Sequence, residues 1–475
     1  MSNKKDLTRS ILATFSPSFG GTTVPEWLKP SLDGGLGSVT LFASNTPNFE
    51  AAGKLVEELR SYSPHLIVAI DEEGGDVTRL FVREGSPFPT PALLGRCDDE
   101  DLTYRSYLSL GQELSKLGID MSFAPVADVV VARENPIVAV RAFGMNSDLV
   151  ARHTVAAVRG FRDGGIGACI KHFPGHGAAI EDSHHHLPTV DLDMESLLAD
   201  HIQPFIAAID DGVDAVMVSH IVATALDDEN PSSLSHAVIT DFLRKTLNFQ
   251  GLIVTDALDM GALGGPEILP QSAVKALSAG ADLLCFSGDT DQLFFVTEGL
   301  RAVQVAVEAG VIPEEYLMAA AKRVLSWKHP KMLKGEIPPP VIARDLVRGL
   351  EVRGENVLVG RQIHLIELGT APTIAAGHVA WGMRKALAEL GIACTLQTAD
   401  TESLTDKPVV VAFRDAYRDK GILDALNLLS TRYPQAIFVD LGWPTLDFVP
   451  ANLIRTYGSC AVAARAAASL MVPNI

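Results

Sequence analysis

The stretch Ala168–Pro188, ACIKHFPGHGAAIEDSHHHLP, gives the strongest indication of both fold and chemistry. It begins with a short apolar run typical of a buried strand, and ionisable side chains follow directly. From Lys171 onward it holds five of the thirteen histidines, one lysine and two carboxylates. Groups of this kind at such density rarely serve packing, so we expect chemistry here. Three kinds are open: metal-dependent hydrolysis, Schiff-base formation on Lys171, or acid/base transfer.

A metal site is the least favoured of the three. His172 and His176 have the i, i+4 spacing that puts two zinc ligands on one helical face. Pro174 and Gly175 lie between them and oppose a helix, so that spacing loses its meaning. The consecutive residues His184–His186 cannot all face one ion in a regular element, and we interpret the last two as solvated. We predict no metal and no cofactor.

Composition and charge restrict the class of protein. The chain has 475 residues, 47% of them hydrophobic, which is too long for one core and predicts two domains. With 39 Lys and Arg against 58 Asp and Glu, the net charge of −19 argues against nucleic acid or anionic membrane as a partner. Five scattered cysteines, without a CxxC pair, suit a reducing cytoplasm. The early apolar run Ile11–Phe15 is too short for a signal peptide, and no run is long enough to span a membrane.

Strand-like and helix-like runs alternate through the first two thirds of the chain. The eight strand-like runs are Ile11–Phe15, Ser38–Phe42, Leu66–Ile70, Met121–Ala124, Ala168–His172, Ala215–Ser219, Leu252–Thr255 and Asp282–Phe286. Helix-like segments between them include Phe49–Ser61, Leu102–Leu117, Leu149–Asp163 and Met194–Asp210. Such alternation implies an α/β fold with a parallel sheet, and eight units predict a (β/α)8 TIM-type barrel. A doubly wound open sheet is the competing architecture.

The barrel interpretation predicts where the active site lies, because barrel sites occupy the carboxyl ends of the strands. Ionisable residues follow four of the strand-like runs: Asp71, Lys171 with His172, His220, and Asp256. We expect no comparable charge at the starts of those same strands. This asymmetry favours a site at the carboxyl-end mouth.

Prolines indicate where the barrel ends. Pro330 and the run Pro338–Pro340 follow the helix-like segment Glu314–Trp327 and mark a linker. We predict a catalytic barrel at 1–332, a linker at 333–344 and a small α/β domain at 345–475. In this last part, the strand-like runs are Val409–Phe413 and Ala436–Leu441, and the helix-like runs are Val379–Leu390 and Leu423–Ser430. No dense cluster of catalytic groups is visible there.

Asp256 is the candidate nucleophile. It lies in GLIVTDALDM, residues 251–260, after a strand too apolar to leave a carboxylate exposed by accident. The alternative role is a helix N-cap, for which Asp259 is the better candidate. A carboxylate at a barrel mouth can attack an electron-poor carbon, as in retaining glycoside hydrolysis.

Such a nucleophile needs a proton donor across the scissile bond. Asp182 and His184 are separated only by Ser183 and could provide one. A carboxylate beside an imidazole fixes its tautomer and keeps its pKa near neutrality, where it can both give and take a proton. The alternative is an Asx-turn with a surface histidine.

The motifs resemble those of one enzyme family. KHFPGHGAAIEDSHHHLP resembles the signature of bacterial glycoside hydrolase family 3 β-N-acetylglucosaminidases, the NagZ-like branch. DEEGGDVTRL, SFAPVADV, VRAFG, PSSLS, GLIVTDALDM and AGADLL stand in that family's order and cover nearly all of the barrel. The tail, with VVVAFRDAYR and IFVDLGWP, is similar to the α/β sandwich found as a second domain in many members.

The resemblance implies roles for particular residues. Asp256 would be the nucleophile that forms a covalent glycosyl-enzyme, and His184 the acid/base, oriented by Asp182. The implied enzyme is a cofactor-free exo-β-N-acetylglucosaminidase acting on small glycosides, and β-glucosidase activity is compatible with it. For the two arginines in the sugar-binding set, the alternative role is a structural ion pair at the rim. The side chains that would bind hydroxyls of the terminal sugar are Asp71, Arg79, Arg141, Lys171 and His172.

One departure from the family pattern affects the expected substrate. The family often has DQEGGRV where this chain has DEEGGDV, residues 71–77. Glu72 and Asp76 replace a neutral and a basic group, so we expect a more negative mouth. That weighs against an anionic aglycone.

Two alternative reactions stay open. A neutral imidazole does not repel an anion as an ionised glutamate would, so inorganic phosphate could replace water as the acceptor. A Schiff-base aldolase acting through Lys171 is the more distant alternative, because it leaves Asp256 and the Asp182–His184 pair without a role.

Overall fold

The computed structural model describes residues 4–131, 135, 137–179, 183, 186–286, 292–328, 330–333, 338–401, 404 and 406–472. Its strands are β1 Phe15–Ser16, β2 Ser38–Leu41, β3 Ile67–Ile70, β4 Met121–Ser122, β5 Gly167–Phe173, β6 Thr189–Val190, β7 Ala215–Val218, β8 Val222–Ala223, β9 Leu252–Thr255, β10 Leu284–Cys285, β11 Glu351–Arg353, β12 Gln362–Gly369, β13 Ala393–Gln397, β14 Val409–Arg414, β15 Ile437–Asp440 and β16 Leu453–Arg455. The α-helices of six or more residues are Lys4–Ala13, Phe49–Tyr62, Pro91–Cys97, Glu100–Lys116, Ser147–Gly164, Gln203–Asp210, Leu269–Ala279, Gln292–Glu308, Glu314–Ser326, Arg384–Glu389, Lys420–Arg432 and Ala461–Met471.

The first sheet is parallel and curled. Six strands lie in the order β2-β3-β4-β5-β7-β9, and β10 pairs in parallel with β1. A parallel bridge between Val254 and Leu283 joins β9 to the start of β10. At the other side, the N–H of Thr40 in β2 donates to the carbonyl of Pro17, which follows β1, at 3.0 Å. The predicted α/β class is confirmed.

The predicted strands match the structure except at the beginning of the chain. Ile11–Phe15 is wrong as a strand, because Lys4–Ala13 is a helix and only Phe15 enters β1. Leu7 and Ile11 are buried one helical turn apart, so the apolar run serves one face of that helix. In the tail, the predicted helix Val379–Leu390 begins only at Arg384, since Gly382 has a φ of 113°, outside the helical range.

Carboxylates lie at or near the starts of three strands of this sheet, and one of them, Asp214 before β7, contradicts the expectation of no charge at the starts of the four strands that end in ionisable residues. Asp120 and Asp214 directly precede β4 and β7, and Asp282 lies two residues before the start of β10. Each accepts a hydrogen bond from a backbone N–H of the preceding strand in the sheet, at 2.7, 3.2 and 2.9 Å respectively. Asp282 is fully buried and also binds Arg244 and Arg323. These carboxylates join neighbouring strands at the end opposite the mouth.

The second sheet comes from residues 351–455. Its order is β11-β16-β15-β14-β12-β13, and its strand pairs are parallel except for β11 with β16. One cluster of buried apolar side chains includes Phe173 of the first sheet and Leu365 and Val410 of the second. The two sheets therefore share packing. Among the helices that the structure describes, none is both long and apolar enough to cross a membrane.

Candidate active site

A cavity of about 540 Å³ opens at the carboxyl ends of the first sheet's strands. Three strand ends supply ionisable side chains: Asp71 follows β3, Lys171 and His172 are the two residues before the last residue of β5, and Asp256 follows β9. The predicted site residues that the structure brings together in the cavity lining are Asp71, Arg79, Arg141, Lys171, His172 and Asp256.

Asp256 is held by backbone hydrogen bonds on both sides. Its N–H donates to the carbonyl of Val218 at the end of β7, at 2.9 Å. Its Oδ1 accepts from the N–H of Ala257 at 2.9 Å, which fixes the rotation of the carboxylate. The next helical turn, Gly261–Leu263, is preceded by Met260, and Asp256 itself lies at the cavity. The backbone on both sides of Asp256 therefore fixes the orientation of its carboxylate at the cavity.

Two carboxylates and three cations form a network at the cavity. The Lys171 ammonium binds Asp71 and, at 2.6 Å, Oε1 of Glu73. Glu73 also holds Arg141 in a two-point ion pair, with Nη2 at 2.6 Å from Oε1 and Nε at 2.8 Å from Oε2. Arg79 donates from Nη2 to Oδ2 of Asp71 at 2.9 Å. Because each charge has an opposite neighbour, the buried network can present fixed donors and acceptors to a ligand.

The same neighbours set the protonation states. Burial raises the pKa of Asp71, but the positive charges of Lys171 and Arg79 outweigh it and hold that pKa well below its usual range. Burial lowers the pKa of Lys171, and the charges of Asp71 and Glu73 more than reverse this, so its pKa lies above the usual value. Lys171 is therefore an ammonium ion at neutral pH. This opposes the Schiff-base alternative, because imine formation needs a neutral amine.

Asp128 orients His172. The Nδ1 atom of His172 donates to Oδ2 of Asp128 at 2.7 Å, and Oδ1 accepts from the N–H of His176 at 2.7 Å. The Nε2 atom of His172 then faces Nη2 of Arg141 at 3.4 Å. Burial raises the pKa of Asp128, but the nearby His172 outweighs this and lowers it, so the carboxylate is ionised. The imidazole is thus locked in one rotation at the cavity wall.

The predicted acid/base residues Asp182 and His184 lie outside the described residues, as does His185. Ser183, between the first two, is described and lines the cavity. Its hydroxyl lies 3.1 Å from Nε2 of His176, and its carbonyl accepts from the N–H of Ala262 at 3.2 Å. Ser183, which lies between the two predicted acid/base residues, is therefore held against the segment that follows Asp256.

A family model for the glycosyl hydrolase family 3 N terminal domain matches residues 22–327. The chain belongs to glycoside hydrolase family 3. The membership predicted from the motifs is confirmed, and this protein is a glycoside hydrolase. A beta-hexosaminidase of Chromobacterium violaceum is 37% identical over 256 residues, covering 52% of this chain and 71% of that protein.

Two solved structures resemble this family 3 enzyme to different extents. A family 3 β-N-acetylglucosaminidase from Paenibacillus sp. str. FPU-7 is 28% identical with a TM-score of 0.87, over 100% of this chain and 97% of that one. NagZ from Neisseria gonorrhoeae, in complex with N-trifluoroacetyl-D-glucosamine, is 29% identical with a TM-score of 0.57, over 67% of this chain and 91% of that one. The first comparison extends over the second sheet as well as the first.

Two sequence-based expectations about acidic residues in the family 3 enzyme are wrong. Glu72 is buried and accepts from the hydroxyl of Thr78 and from two backbone N–H groups, and burial raises its pKa to about 7. Asp76 is also buried and accepts from the N–H of Ser459 at 2.8 Å. Neither is among the described residues that line the cavity, so they do not make its mouth more negative. The predicted capping role of Asp259 is wrong too, since Met260 precedes the helical turn.

The sequence interpretation missed, among others, two buried acids that bind residues of the cavity lining and one segment of the lining itself. Glu73 stands two residues after Asp71, and Asp128 lies shortly after β4, so both fit the rule that site residues follow strands. The third is the segment 374–378 from the far end of the chain, which lines the cavity. It receives Arg79 through backbone carbonyls, at 2.9 Å for Ala375 and 3.5 Å for Ala376. Contacts made by carbonyl groups leave no signal in side-chain chemistry.

No group of three histidine, cysteine or acidic side chains suited to hold a metal ion occurs in the part of the chain that the structure describes. His172 and His176 each pair with other side chains, Asp128 and Ser183 respectively. Their ring centroids are 5.9 Å apart. Both imidazoles thus have hydrogen-bonding functions within the cavity wall.

Proposed function

We propose that this enzyme is a retaining exo-β-N-acetylglucosaminidase that releases terminal N-acetylglucosamine from small glycosides through a covalent glycosyl-enzyme. One observation carries the proposal: Asp256, the ionic network around Lys171, and Ser183 line the same cavity. A nucleophile, a sugar-binding wall and the middle of the candidate acid/base pair therefore meet at one place. The beta-hexosaminidase and β-N-acetylglucosaminidase relatives support the choice of sugar.

The architecture belongs to the same proposal. The hydrogen bonds that lead from β9 through β10 and β1 back to β2 support a closed (β/α)8 barrel, placed at residues 1–332. The linker would be residues 333–344 and the small α/β domain residues 345–475. In such a barrel, reacting groups from different strands converge at the carboxyl-end mouth.

In the proposed reaction, Asp256 attacks the anomeric carbon of the bound sugar. The Ala257 N–H at 2.9 Å keeps one carboxylate oxygen in place during the attack. His184, oriented by Asp182, donates a proton to the leaving oxygen and then removes one from the incoming water. Because the second displacement reverses the first, the product keeps the β configuration.

The ionic network at the cavity would recognise the non-reducing sugar. Asp71 offers carboxylate acceptors, while Lys171 and Arg79 offer donors to the hydroxyl groups. His172 and Arg141 extend the same wall and are both held by buried acids, Asp128 and Glu73. A wall of paired charges at one end of the cavity suits a terminal residue of a glycan, which explains exo action.

The nucleophile is tested by Asp256→Ala, assayed on an activated aryl β-N-acetylglucosaminide. We expect kcat to fall at least about a thousandfold, since the covalent step is lost. Azide should restore part of the activity and yield an α-glycosyl azide, the configuration that a retaining enzyme gives when its nucleophile is replaced. The exposed Asp228→Asn is the matched control and should behave as wild type. Wild-type turnover by Asp256→Ala would refute the proposal.

The acid/base is tested by His184→Ala. We expect a small loss of activity on a dinitrophenyl glycoside, which needs no proton donor, and a much larger loss on a glycoside with a basic leaving group. Equal losses on both would remove His184 from the mechanism. The phosphate alternative is tested in the same assays, because sugar 1-phosphate formed in phosphate buffer would show phosphorolysis, whereas free sugar alone shows hydrolysis.

A further inference from the structure

His220 lies behind the turn that carries Asp256, outside the described cavity lining. Its ring is fully buried just after β7. The Nε2 atom is 2.8 Å from the carbonyl oxygen of Ala257, and Nδ1 is 2.6 Å from the hydroxyl of Ser233. A carbonyl oxygen can only accept, so Nε2 carries the hydrogen. In the neutral form of the ring, Nδ1 is then the acceptor and the hydroxyl of Ser233 donates to it.

The turn from Asp256 to Leu258 is held from three directions. The N–H of Asp256 donates to Val218 in β7, and the N–H of Leu258 donates to the carbonyl of Cys285 in β10 at 3.0 Å. Between them, the carbonyl of Ala257 points to His220. The two outer bonds come from strands, so they follow from the sheet itself. The middle bond depends on one side chain.

The hydrogen bond from His220 is linked to the carboxylate of Asp256 through a single residue, Ala257. The Ala257 residue donates its N–H to Oδ1 of Asp256 and accepts at its carbonyl from His220. The donor that orients the carboxylate and the acceptor that His220 holds therefore belong to the same residue. Rotation about Ala257 would shift both, so His220 sets the direction of the N–H that fixes Asp256.

The sequence motif Pro231–Ser235 supplies the support for His220. The N–H of Ser233 donates to the carbonyl of Ser219 at 3.1 Å, and the N–H of Ser232 donates to Ile221 at 2.8 Å. These bonds attach the turn to the chain on both sides of His220. Ser233 is fully buried, so its hydroxyl has a fixed position relative to the ring. The turn thereby selects the tautomer that donates to Ala257.

We propose that His220 is a positioning residue for the nucleophile, acting through the Ala257 carbonyl, and that Ser233 holds its tautomer. This inference rests on the proposed function, since it assigns a purpose to a contact only if Asp256 is the reacting group. If His220 has this role, replacing it should slow the chemical step and leave sugar binding nearly unchanged. A misplacement of about 1 Å at a reacting group can reduce turnover about a hundredfold.

The test compares two amides that keep different parts of the imidazole. His220→Gln keeps a donor that reaches Ala257, whereas His220→Asn keeps a group near Ser233 and loses that donor. We expect kcat on an aryl β-N-acetylglucosaminide to fall roughly thirtyfold or more in the Asn variant and less than about tenfold in the Gln variant. KM and the dissociation constant for N-acetylglucosamine should stay within about twofold of wild type, because the sugar-binding wall is unchanged.

Two serines of the same turn provide the matched control. Ser233→Ala removes the hydroxyl that contacts His220, and Ser232→Ala removes a buried hydroxyl that binds the carbonyl of Ile221. We expect both to lose similar stability, while only Ser233→Ala lowers kcat, by about threefold to tenfold. This pair also serves if the His220 variants fail to fold.

The outcomes separate the two proposals. If Asp256→Ala is inactive and His220→Asn and Ser233→Ala both keep wild-type kcat, the positioning role is overturned and the proposed function stands. Equal losses of kcat in Ser232→Ala and Ser233→Ala would also overturn it, since they would indicate general damage. If Asp256→Ala retains wild-type activity, the proposed function fails and this inference falls with it.

Discussion

The Nη2 atom of Arg79 donates to Oδ2 of Asp71 and to the carbonyl of Ala375, each at 2.9 Å. A single guanidinium therefore joins a carboxylate at the end of β3 to a segment some three hundred residues further along the chain. Such a planar group holds its donors in fixed directions toward both partners, whereas a lysine ammonium carries its donors on a shorter reach and a flexible stem. The two halves of the chain meet in the wall of the cavity.

We predict that Arg79→Lys weakens substrate binding. The lysine can pair with Asp71 but cannot also span to Ala375, so the wall loses its alignment. KM for a small aryl β-N-acetylglucosaminide should rise about tenfold, measured by initial rates. Arg83→Lys, at an exposed position nearby, is the control and should leave KM unchanged. An Arg79→Lys enzyme with wild-type KM would show that the double contact has no part in binding.

The segment 374–378 should contact substrate through its exposed apolar residue. Ile374 lines the cavity. It is 55% exposed, the same fraction as Ile342 in the predicted linker. Ile374→Ser should raise KM for an aryl glycoside about fivefold, equivalent to about 1 kcal/mol of lost apolar contact, with little change in kcat or Tm. Ile342→Ser is the matched control. If both serine variants give the same KM, the segment does not touch the aglycone.

Glu72 should make stability depend on pH. Burial raises its folded pKa to about 7 from an ordinary value of 4.5, so the folded protein holds a proton that the unfolded chain releases. The protonated Glu72 therefore contributes stability that is fully present below pH 4.5 and is lost as the pH rises through 7. Glu72→Gln keeps an oxygen for the backbone N–H groups and cannot ionise. At pH 8 we expect it to exceed wild type by about 1–3 kcal/mol in urea unfolding, with a smaller difference at pH 5. The exposed Glu84→Gln should show no such pH dependence, and parallel curves for Glu72→Gln and wild type would contradict the prediction.

Asp282 should contribute to folding and not to catalysis. It is fully buried, binds Arg244 and Arg323, and accepts from the N–H of Ile253. Asp282→Asn leaves two arginines without their partner, so we expect a loss of about 3–5 kcal/mol in the free energy of unfolding. At a temperature where it is folded, its kcat/KM should match wild type.

An ion pair on the surface provides the control for the buried Asp282. Glu298 pairs with Arg301 on the surface of one helix, and Glu298→Gln should cost less than about 0.5 kcal/mol. A similar small cost for Asp282→Asn would show that the buried charges at the strand starts are not structural.

The strands and the site could be predicted from sequence where side-chain pattern carries the information. Seven of the eight strand-like runs contain strands, because a parallel sheet buried on both faces needs continuous apolar runs. The first run failed since three of its residues complete a helical face. Asp71 and Asp256 follow strand ends and Lys171 lies near the end of β5, and that geometry brings the three residues together regardless of loop length.

Other parts of the site depend on contacts that a sequence does not display. Whether Glu72 or Glu73 pairs with residues of the cavity lining depends on the local turn, and the structure turns Glu73 toward Lys171 and Glu72 toward backbone N–H groups. The segment 374–378 joins the site through carbonyl groups, which every residue possesses. The contribution of this segment to the site can be recognised only in the folded structure, where the two sheets pack together.

The approach of residues 374–378 also bears on what a truncated version of this enzyme would be. A chain ending before the second sheet would retain every strand end and every ionisable group of the first. Its Arg79, however, would meet water where Ala375 and Ala376 now stand, and Asp71 would share its neighbour with solvent. Shortening the chain would thus loosen the wall of the cavity itself, and under the proposed function the last third of the polypeptide forms part of the sugar-binding site.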